Sequence, residues 1–120
     1  MLRVVVADDS RVMRQIVVRT LRQAGYDWDI TEASDGAEAF RVARAEQPDL
    51  VLSDWNMPNM TGIDLLRALR AAGDDVPFGF VTSEGSEEMR EQADAAGALF
   101  LVAKPFTAES FRDVIEPVLA

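Results

Sequence analysis

The chain has 120 residues, 48% of them hydrophobic and 28% charged, which is the size and balance of a single globular domain. It contains no cysteine and no histidine, and this excludes disulfides, thiol nucleophiles, histidine-assisted catalysis and ordinary zinc sites. The net charge of -9 disfavours nucleic acid as a partner, because a protein that binds phosphates needs a basic face.

Short apolar runs alternate with longer amphipathic stretches along the chain, a pattern typical of βα repeats. The predicted strands are, in chain order, Arg3–Ala7, Trp28–Glu32, Leu50–Leu52, Val76–Val81 and Leu99–Ala103. The first predicted helix follows Ser10 and ends at Ala24, and the others are Ala37–Ala45, Gly62–Ala72, Ser86–Ala96 and Thr107–Leu119, with Thr107 as a cap. Crossovers between parallel strands are long and right-handed, so this order predicts one parallel α/β sheet with helices on both faces.

The alternating pattern extends over almost the whole sequence and leaves no room for a separate output domain. No segment has the composition of a signal peptide or the apolar length of a membrane-spanning helix. We therefore expect one domain over residues 1–120, in a cytoplasmic protein that contacts neither membrane nor nucleic acid.

Polar side chains follow four of the predicted strands. They are Asp8 and Asp9 after the first strand, Asp54 after the third, Thr82 and Ser83 after the fourth, and Lys104 after the fifth. In open parallel sheets, ligands bind beyond the carboxyl ends of the strands, where the strand order reverses. We therefore expect these side chains to lie at the same edge of the sheet.

Each of these residues also has a purely structural interpretation. Asp8, Asp9 or Ser10 fits the cap of the first helix, and the segment after Asp54 has the composition of an ordinary turn. Thr82 could be an ordinary β-branched strand residue. Lys104 could be an ordinary surface lysine whose stem lies along apolar neighbours. Their placement together favours a functional site, because three carboxylates at one edge repel one another unless a cation lies among them.

The residue types indicate which cation that is. Carboxylates and backbone carbonyls suit a hard, oxygen-binding ion, and few protein ligands favour Mg²⁺ over Ca²⁺. The chain also has eleven Arg but a single Lys, at position 104. A compact ammonium pairs with carboxylate or phosphoryl oxygens in a different geometry from the planar guanidinium. The sequence therefore predicts a Mg²⁺ site with Lys104 beside it.

Four blocks of the sequence resemble, in order and spacing, the signature blocks of response-regulator receiver domains of two-component systems. They are Val4–Asp9, Asp54–Met60, Val81–Glu84 and Lys104–Phe106, and the second is most similar to the chemotaxis members of that family. The resemblance covers essentially the whole chain. It implies a flavodoxin-like sheet of five parallel strands, in the order 2-1-3-4-5, with five helices.

The resemblance also implies roles for the residues of the acidic site. Asp54 is the expected phosphoacceptor. Asp9 and Asp54 are expected to bind Mg²⁺ through their carboxylates, together with the backbone carbonyl of Asn56, while Asp8 helps through water. Lys104 is expected to pair with the phosphoryl group, and its peptide bond to Pro105 is expected to be cis.

A second set of residues matches the family's switch and tuning positions. Thr82 is the expected switch hydroxyl, and the small Ser83 leaves access to the pocket. Asn56 and Glu84 match positions that tune the lifetime of the phosphorylated state. Leu101 departs from the family, which usually has Tyr or Phe three residues before the lysine, so we expect the output to be coupled differently in this chain. Phe100 is no substitute, because neighbours on a strand face opposite sides.

By this resemblance the chain is a stand-alone switch that catalyses only its own phosphorylation and dephosphorylation. The expected phosphodonor is a histidine kinase or phosphotransfer protein acting in trans, since this chain has no histidine. The expected downstream protein binds helix 4, strand 5 and helix 5, roughly residues 86–119, of a monomer. A role in chemotaxis is one reading of the output; a phosphate sink, a phosphorelay intermediate or a phosphorylation-independent adaptor are the others.

Two enzyme or cofactor classes with a similar sheet fit the residues less well. An aspartyl-nucleophile phosphatase generally has a second Asp two positions after the nucleophile, and here that position is Asn56. A flavin-binding module needs a phosphate-binding loop after the first strand. Asp8 and Asp9 stand there instead and repel a phosphate unless a metal intervenes.

Overall fold

In a computed structural model that describes residues 2–119, five strands and five helices alternate along the chain. The strands are β1 (Arg3–Ala7), β2 (Asp29–Ala33), β3 (Leu50–Ser53), β4 (Phe78–Thr82) and β5 (Phe100–Ala103). The helices are α1 (Arg11–Gln23), α2 (Gly36–Glu46), α3 (Gly62–Ala71), α4 (Glu87–Ala96) and α5 (Ala108–Leu119). All strands are parallel, in the order β2-β1-β3-β4-β5, which confirms the predicted flavodoxin-like fold. Within residues 2–119, every helix is too short or too polar to cross a membrane.

A polar side chain caps the start of each helix. Ser10, Asp35, Thr61 and Ser86 each accept a hydrogen bond from the backbone N–H three residues later. At α5 the Ser110 N–H donates to the Thr107 hydroxyl, and the Thr107 N–H donates to the Ser110 hydroxyl. The predicted Thr107 cap is confirmed, and Ser86 is the cap of α4 rather than its first residue.

Strand ends differ from the predicted ones by one or two residues. β4 begins at Phe78 rather than Val76 because its pairing with β3 starts there, opposite Val51, and Pro77 has no N–H to donate. β4 then continues to Thr82, which is therefore the last strand residue and not the first loop residue. β2 and β5 likewise begin one residue later than predicted, at Asp29 and Phe100.

The hydrophobic core consists of two clusters, one on each face of the sheet. Alternate residues of β1 divide between them, with Val5 in the cluster under α2, α3 and α4, and Val4 in the cluster under α1 and α5. Phe80 and Phe111 are fully buried centres of the two clusters. Both faces are covered, so the carboxyl edge of the sheet is a rigid platform for the loops that follow the strands.

Two glycines allow the loop after β3 to pack tightly against its neighbours. The Gly62 N–H donates to the Trp55 carbonyl at 2.7 Å, and a Cβ at Gly62 would overlap the backbone carbonyl oxygen of Asp54. A Cβ at Gly36 would similarly overlap the Met60 carbonyl. These close approaches fix the backbone on both sides of the loop and thereby the position of Asp54.

Candidate functional site

The loops after β1, β3 and β5 bring three carboxylates and one ammonium together. Oxygens of Asp8, Asp9 and Asp54 lie within 4.8 Å of one another. Lys104 Nζ is 3.2 Å from Asp8 Oδ2 and 3.6 Å from Asp54 Oδ2. The four residues come from positions 8 to 104, so only the parallel sheet places them side by side.

The hydrogen bonds show that Ser10, and not Asp8, caps α1. Ser10 Oγ accepts from the Met13 N–H and caps α1, while Asp8 Oδ1 accepts from the Ser10 N–H at 2.9 Å. The other oxygen of Asp8 faces Lys104, and the residue is buried. Asp9 is exposed at the mouth of the cluster. Capping therefore explains Ser10 and leaves the Asp8–Asp9 pair to be explained by the cluster.

Some neighbours of Asp54 favour the ionised form of its carboxyl group and others disfavour it. Its Oδ1 accepts from the Trp55 N–H at 2.7 Å, and its side chain is only 12% exposed. Burial raises the pKa of Asp54 above the usual aspartate value; Lys104 and the Trp55 N–H oppose the rise, whereas Asp8 and Asp9 add to it. A cation among the three carboxylates favours the ionised form of all of them, which is the state that binds metal and attacks an electrophile.

This raised pKa predicts how the stability of the metal-free protein depends on pH. Between the unfolded value of Asp54, near 3.8, and its raised folded value, the folded state holds more protons than the unfolded state. The free energy of unfolding should therefore fall as the pH rises through that window, and stay low above it. Urea unfolding in chelator should show this fall in the wild type and a smaller one in Asp54→Asn. Asp75→Asn, at an exposed position before β4, is the control. Equal falls in the wild type and Asp54→Asn would contradict the account.

Thr82 and the residues after it lie at the same edge. Thr82 is fully buried, and its hydroxyl accepts from the Glu84 N–H at 3.3 Å. Its backbone carbonyl accepts from the Lys104 N–H at 2.7 Å, which links the ends of β4 and β5. Ser83 and Glu84 are exposed. The hydrogen bond to this hydroxyl thus comes from the loop that follows β4 and not from the carboxylate cluster.

Asn56 and Pro105 complete the set of predicted positions. Asn56 is exposed in the loop that follows Asp54. The Lys104–Pro105 peptide bond is cis. The role of the Asn56 carbonyl stays a prediction.

Leu101 and Phe100 occupy opposite sides of β5, as strand alternation predicts. Leu101 is buried in the cluster under α4, while Phe100 packs against the cluster under α5. The aromatic ring of Phe100 lies over Gly79 of the neighbouring strand, where a Cβ would overlap it. Phe100 therefore does not take the place of the aromatic residue that the family usually has at position 101.

Two residues near the site were missed by sequence reasoning. Ser53 Oγ donates to the Asp54 backbone carbonyl at 2.8 Å and is almost completely buried. A hydroxyl at the end of an apolar strand was a usable signal, since buried polar groups need partners. Arg90 donates to the carbonyls of Gly85 and Leu101, at 3.3 and 3.2 Å, and ties the loop after β4 to β5. No signal distinguished it among eleven arginines.

Comparison with known proteins identifies the family of this chain. The family model of the response regulator receiver domain matches residues 4–116. The chain belongs to this family. Among curated receiver proteins, the chemotaxis protein CheY of Pseudomonas aeruginosa is 38% identical over 119 residues, which are 98% of this chain and 95% of that protein. A CheY homolog of Campylobacter jejuni is 36% identical, over 98% of this chain and 92% of its own length.

Solved receiver structures have the same fold. The chemotaxis response regulator CheY4 of Vibrio cholerae superimposes with a TM-score of 0.86 at 35% identity, covering 98% of each chain. The receiver domain of a Francisella response regulator gives a TM-score of 0.85 at 28% identity, covering 99% of this chain and 95% of that one. The chain is thus a CheY-like receiver domain, a component of two-component signalling.

Proposed function

We propose that Asp54 accepts a phosphoryl group in a Mg²⁺-dependent reaction and that this receiver acts as a phosphorylation switch. The observation that carries the proposal is the convergence of Asp8, Asp9 and Asp54 within 4.8 Å, with Lys104 Nζ 3.6 Å from Asp54. A cluster of three carboxylates costs folding energy through repulsion and burial. Membership of the receiver family supports a phosphoacceptor role for the aspartate at the centre of that cluster.

The donor atoms of the cluster fit Mg²⁺. The carboxylate donors are all oxygens. Asp9 and Asp54, with the carbonyl of Asn56 that we propose as a third ligand, would provide few protein ligands, which suits an ion that keeps several waters. Asp8, held by Lys104 and the Ser10 N–H, would act through water rather than as a direct ligand. When bound, Mg²⁺ offsets negative charge on the oxygens of the transferred group.

The reaction uses residues whose positions are described above. A carboxylate oxygen of Asp54 attacks phosphorus in line, so that a new P–O bond forms while the P–N bond of a donor phosphohistidine breaks and the imidazole leaves. Lys104 Nζ, already 3.6 Å from Asp54, stabilises the charge that develops on the phosphoryl oxygens. Membership of the receiver family supports a histidine kinase or phosphotransfer protein as the donor. The donor acts in trans, because this chain has no histidine.

The aspartyl phosphate then biases the loop after β4. It adds negative charge and acceptor oxygens at the edge of the sheet where β4 ends with Thr82. When that hydroxyl turns towards the phosphoryl group, it gives up the 3.3 Å bond from the Glu84 N–H and releases the loop. Arg90 joins this loop, at Gly85, to β5, at Leu101, so the movement reaches the α4–β5–α5 surface without an aromatic at position 101.

The pathway that we propose is chemotaxis. The curated relatives are chemotaxis proteins, which supports chemotaxis as the pathway of this receiver. We propose that the receiver is monomeric and cytoplasmic. The second candidate is a phosphate sink or relay intermediate, and the observation that favours it is Leu101 in place of the family's aromatic residue. Glu84 and Asn56, both exposed beside the pocket, would set how long the phosphoryl group persists.

Intact mass spectrometry tests the proposal. The protein is incubated with acetyl phosphate in Mg²⁺ and, separately, in chelator. We expect one added phosphoryl group in Mg²⁺, none in chelator, and none in Asp54→Asn under either condition. An adduct that forms equally in chelator, or that persists in Asp54→Asn, would overturn the proposal.

A further inference from the structure

The proposed output surface carries more acidic than basic residues. Residues 84–119 contain eight acidic and three basic residues, and all eight acids are exposed. Six of them form two stripes at helical i, i+4, i+7 spacing: Glu87, Glu91 and Asp94 on α4, and Glu109, Asp113 and Glu116 on α5. We call these six residues the acidic stripes. α4 and α5 pack on opposite faces of the sheet on either side of β5, which is an edge strand. Glu116, at the end of the stripe on α5, also lies near Tyr26, whose pKa is raised by burial and by the charge of Glu116.

The stripes are not neutralised within the chain. Among residues 2–119, none of the six acids takes part in an ion pair. Two of the three bases in this region are engaged elsewhere, because Lys104 pairs with Asp8 and Asp54, and Arg90 donates to two backbone carbonyls. The third, Arg112, lies on α5 between the acids of its stripe and offsets part of their charge. The surface keeps an excess of negative charge, which attracts ligands of the opposite sign.

A groove of mixed polarity runs beside the stripe on α4. It has a volume of about 90 Å³ and lies between α4 and β5. Its lining includes the apolar side chains of Ala93, Leu99 and Leu101 and the charged residues Arg90 and Asp94. Leu99 is 52% exposed, although it is a large aliphatic side chain. The groove therefore offers an apolar contact next to free carboxylates.

From this arrangement we infer that the downstream target docks as a cationic segment with an apolar anchor. Arginine or lysine side chains of the target pair with the acidic stripes, and an apolar side chain covers Leu99 in the groove. The inference rests on the proposed function, since that function makes α4, β5 and α5 the output surface. Charge complementarity favours this occupant over the alternatives. The acidic stripes repel an acidic segment and do not attract a neutral one.

Binding of a defined probe to matched variants tests the inference. The probe is a short fluorescein-labelled peptide that combines arginines with a leucine, and binding is followed by anisotropy on the protein with and without acetyl phosphate and Mg²⁺. The double variant Glu91→Lys/Asp94→Lys should weaken binding about tenfold or more, because it replaces two attractions by repulsions. The control Glu46→Lys/Asp75→Lys makes the same change in net charge at exposed positions outside residues 84–119 and should change binding by less than about threefold.

The groove is tested separately. A probe with serine in place of leucine should bind the wild type more weakly, and Leu99→Ser should remove that difference between the probes. Equal weakening by the two double variants, or no probe binding at all, would overturn the inference. So would a concentration-dependent dimer that Glu91→Lys/Asp94→Lys abolishes, since the arginine-rich α1 of a second copy would then be the occupant.

The same samples separate this inference from the proposed function. Intact mass reports the phosphoryl adduct, and anisotropy reports the probe. An adduct without selective binding rejects the cationic target and leaves the switch standing. Selective binding without an adduct rejects the phosphoacceptor and leaves the charge preference of the surface standing.

Discussion

Replacing Lys104 by methionine should slow phosphorylation of Asp54 by about a hundredfold or more. The ammonium is 3.2 Å from Asp8 and 3.6 Å from Asp54, and its side chain is only 15% exposed. Removing one preorganised donor from developing charge typically costs about 100-fold to 1,000-fold in rate. Methionine keeps the length and packing of the stem, so the loss reports the charge rather than a cavity.

The same variant should also be less stable at neutral pH without metal. It leaves Asp8 and Asp54 facing each other with no cation, at a cost of about 2 kcal/mol, between the values for exposed and buried ion pairs. The rate is measured by the appearance of the adduct in intact mass, and the stability by urea unfolding. Arg41→Met, on the exposed face of α2, is the control for a lost positive charge. If Lys104→Met and Arg41→Met react at the same rate, the assigned role of Lys104 is wrong.

Replacing Asp9 by asparagine should weaken Mg²⁺ binding by about 100-fold or more. Asp9 is the exposed member of the cluster and forms no ion pair within residues 2–119, whereas Lys104 pairs with the other two carboxylates. Loss of even an outer-shell partner lowers metal affinity by about 10-fold to 100-fold, so loss of a charged ligand should exceed that range. The side chain stays polar and similar in size.

The fluorescence of Trp55 can measure Mg²⁺ binding. The backbone N–H of Trp55 donates to Asp54 Oδ1, and its buried ring packs on Phe80 with centroids 4.8 Å apart, so a metal at Asp54 should change its fluorescence. Trp28, which stacks on Tyr26, is replaced by phenylalanine to leave a single reporter. Asp75→Asn in the same background should titrate like the parent. A Mg²⁺ titration that Asp9→Asn leaves unchanged would remove Asp9 from the site.

The fold class could be read from the sequence because it depends on a local pattern. Apolar runs of strand length alternate with amphipathic stretches of helix length, and long crossovers require parallel strands. The order of the strands could not be read in the same way. Whether β1 pairs with β3 as well as β2 depends on where each crossover helix packs, and that is decided by contacts between residues far apart in sequence. The order was predicted only through the family resemblance.

Strand ends were predicted less accurately for a related reason. Val76 is apolar and buried and looks like strand, yet pairing begins only at Phe78, opposite Val51. Burial and ladder pairing are separate properties, and hydrophobic periodicity reports only the first. Helix starts were more predictable, because a cap such as Thr107 is a local interaction with the first turn.

The predicted site residues follow strands, and for this reason their proximity at one edge of the sheet could be predicted from the sequence. Asp8, Asp54 and Lys104 each come directly after a parallel strand, so the sheet alone places them at one edge. Arg90 could not be foreseen, because its two partners are backbone carbonyls, one in the loop after β4 and one in β5, and their positions relative to α4 depend on the tertiary structure. Only the folded structure shows that this arginine links β5 to the loop that follows β4.

The most direct test of the central claim is to locate the phosphoryl group among the three neighbouring carboxylates. Borohydride reduces an aspartyl phosphate to homoserine, and peptide mapping then identifies the modified position. After treatment with acetyl phosphate and Mg²⁺, the account predicts homoserine at position 54 and unmodified aspartate at Asp8 and Asp9. Homoserine at Asp8 or Asp9, or no homoserine in a sample whose intact mass shows the adduct, would contradict it.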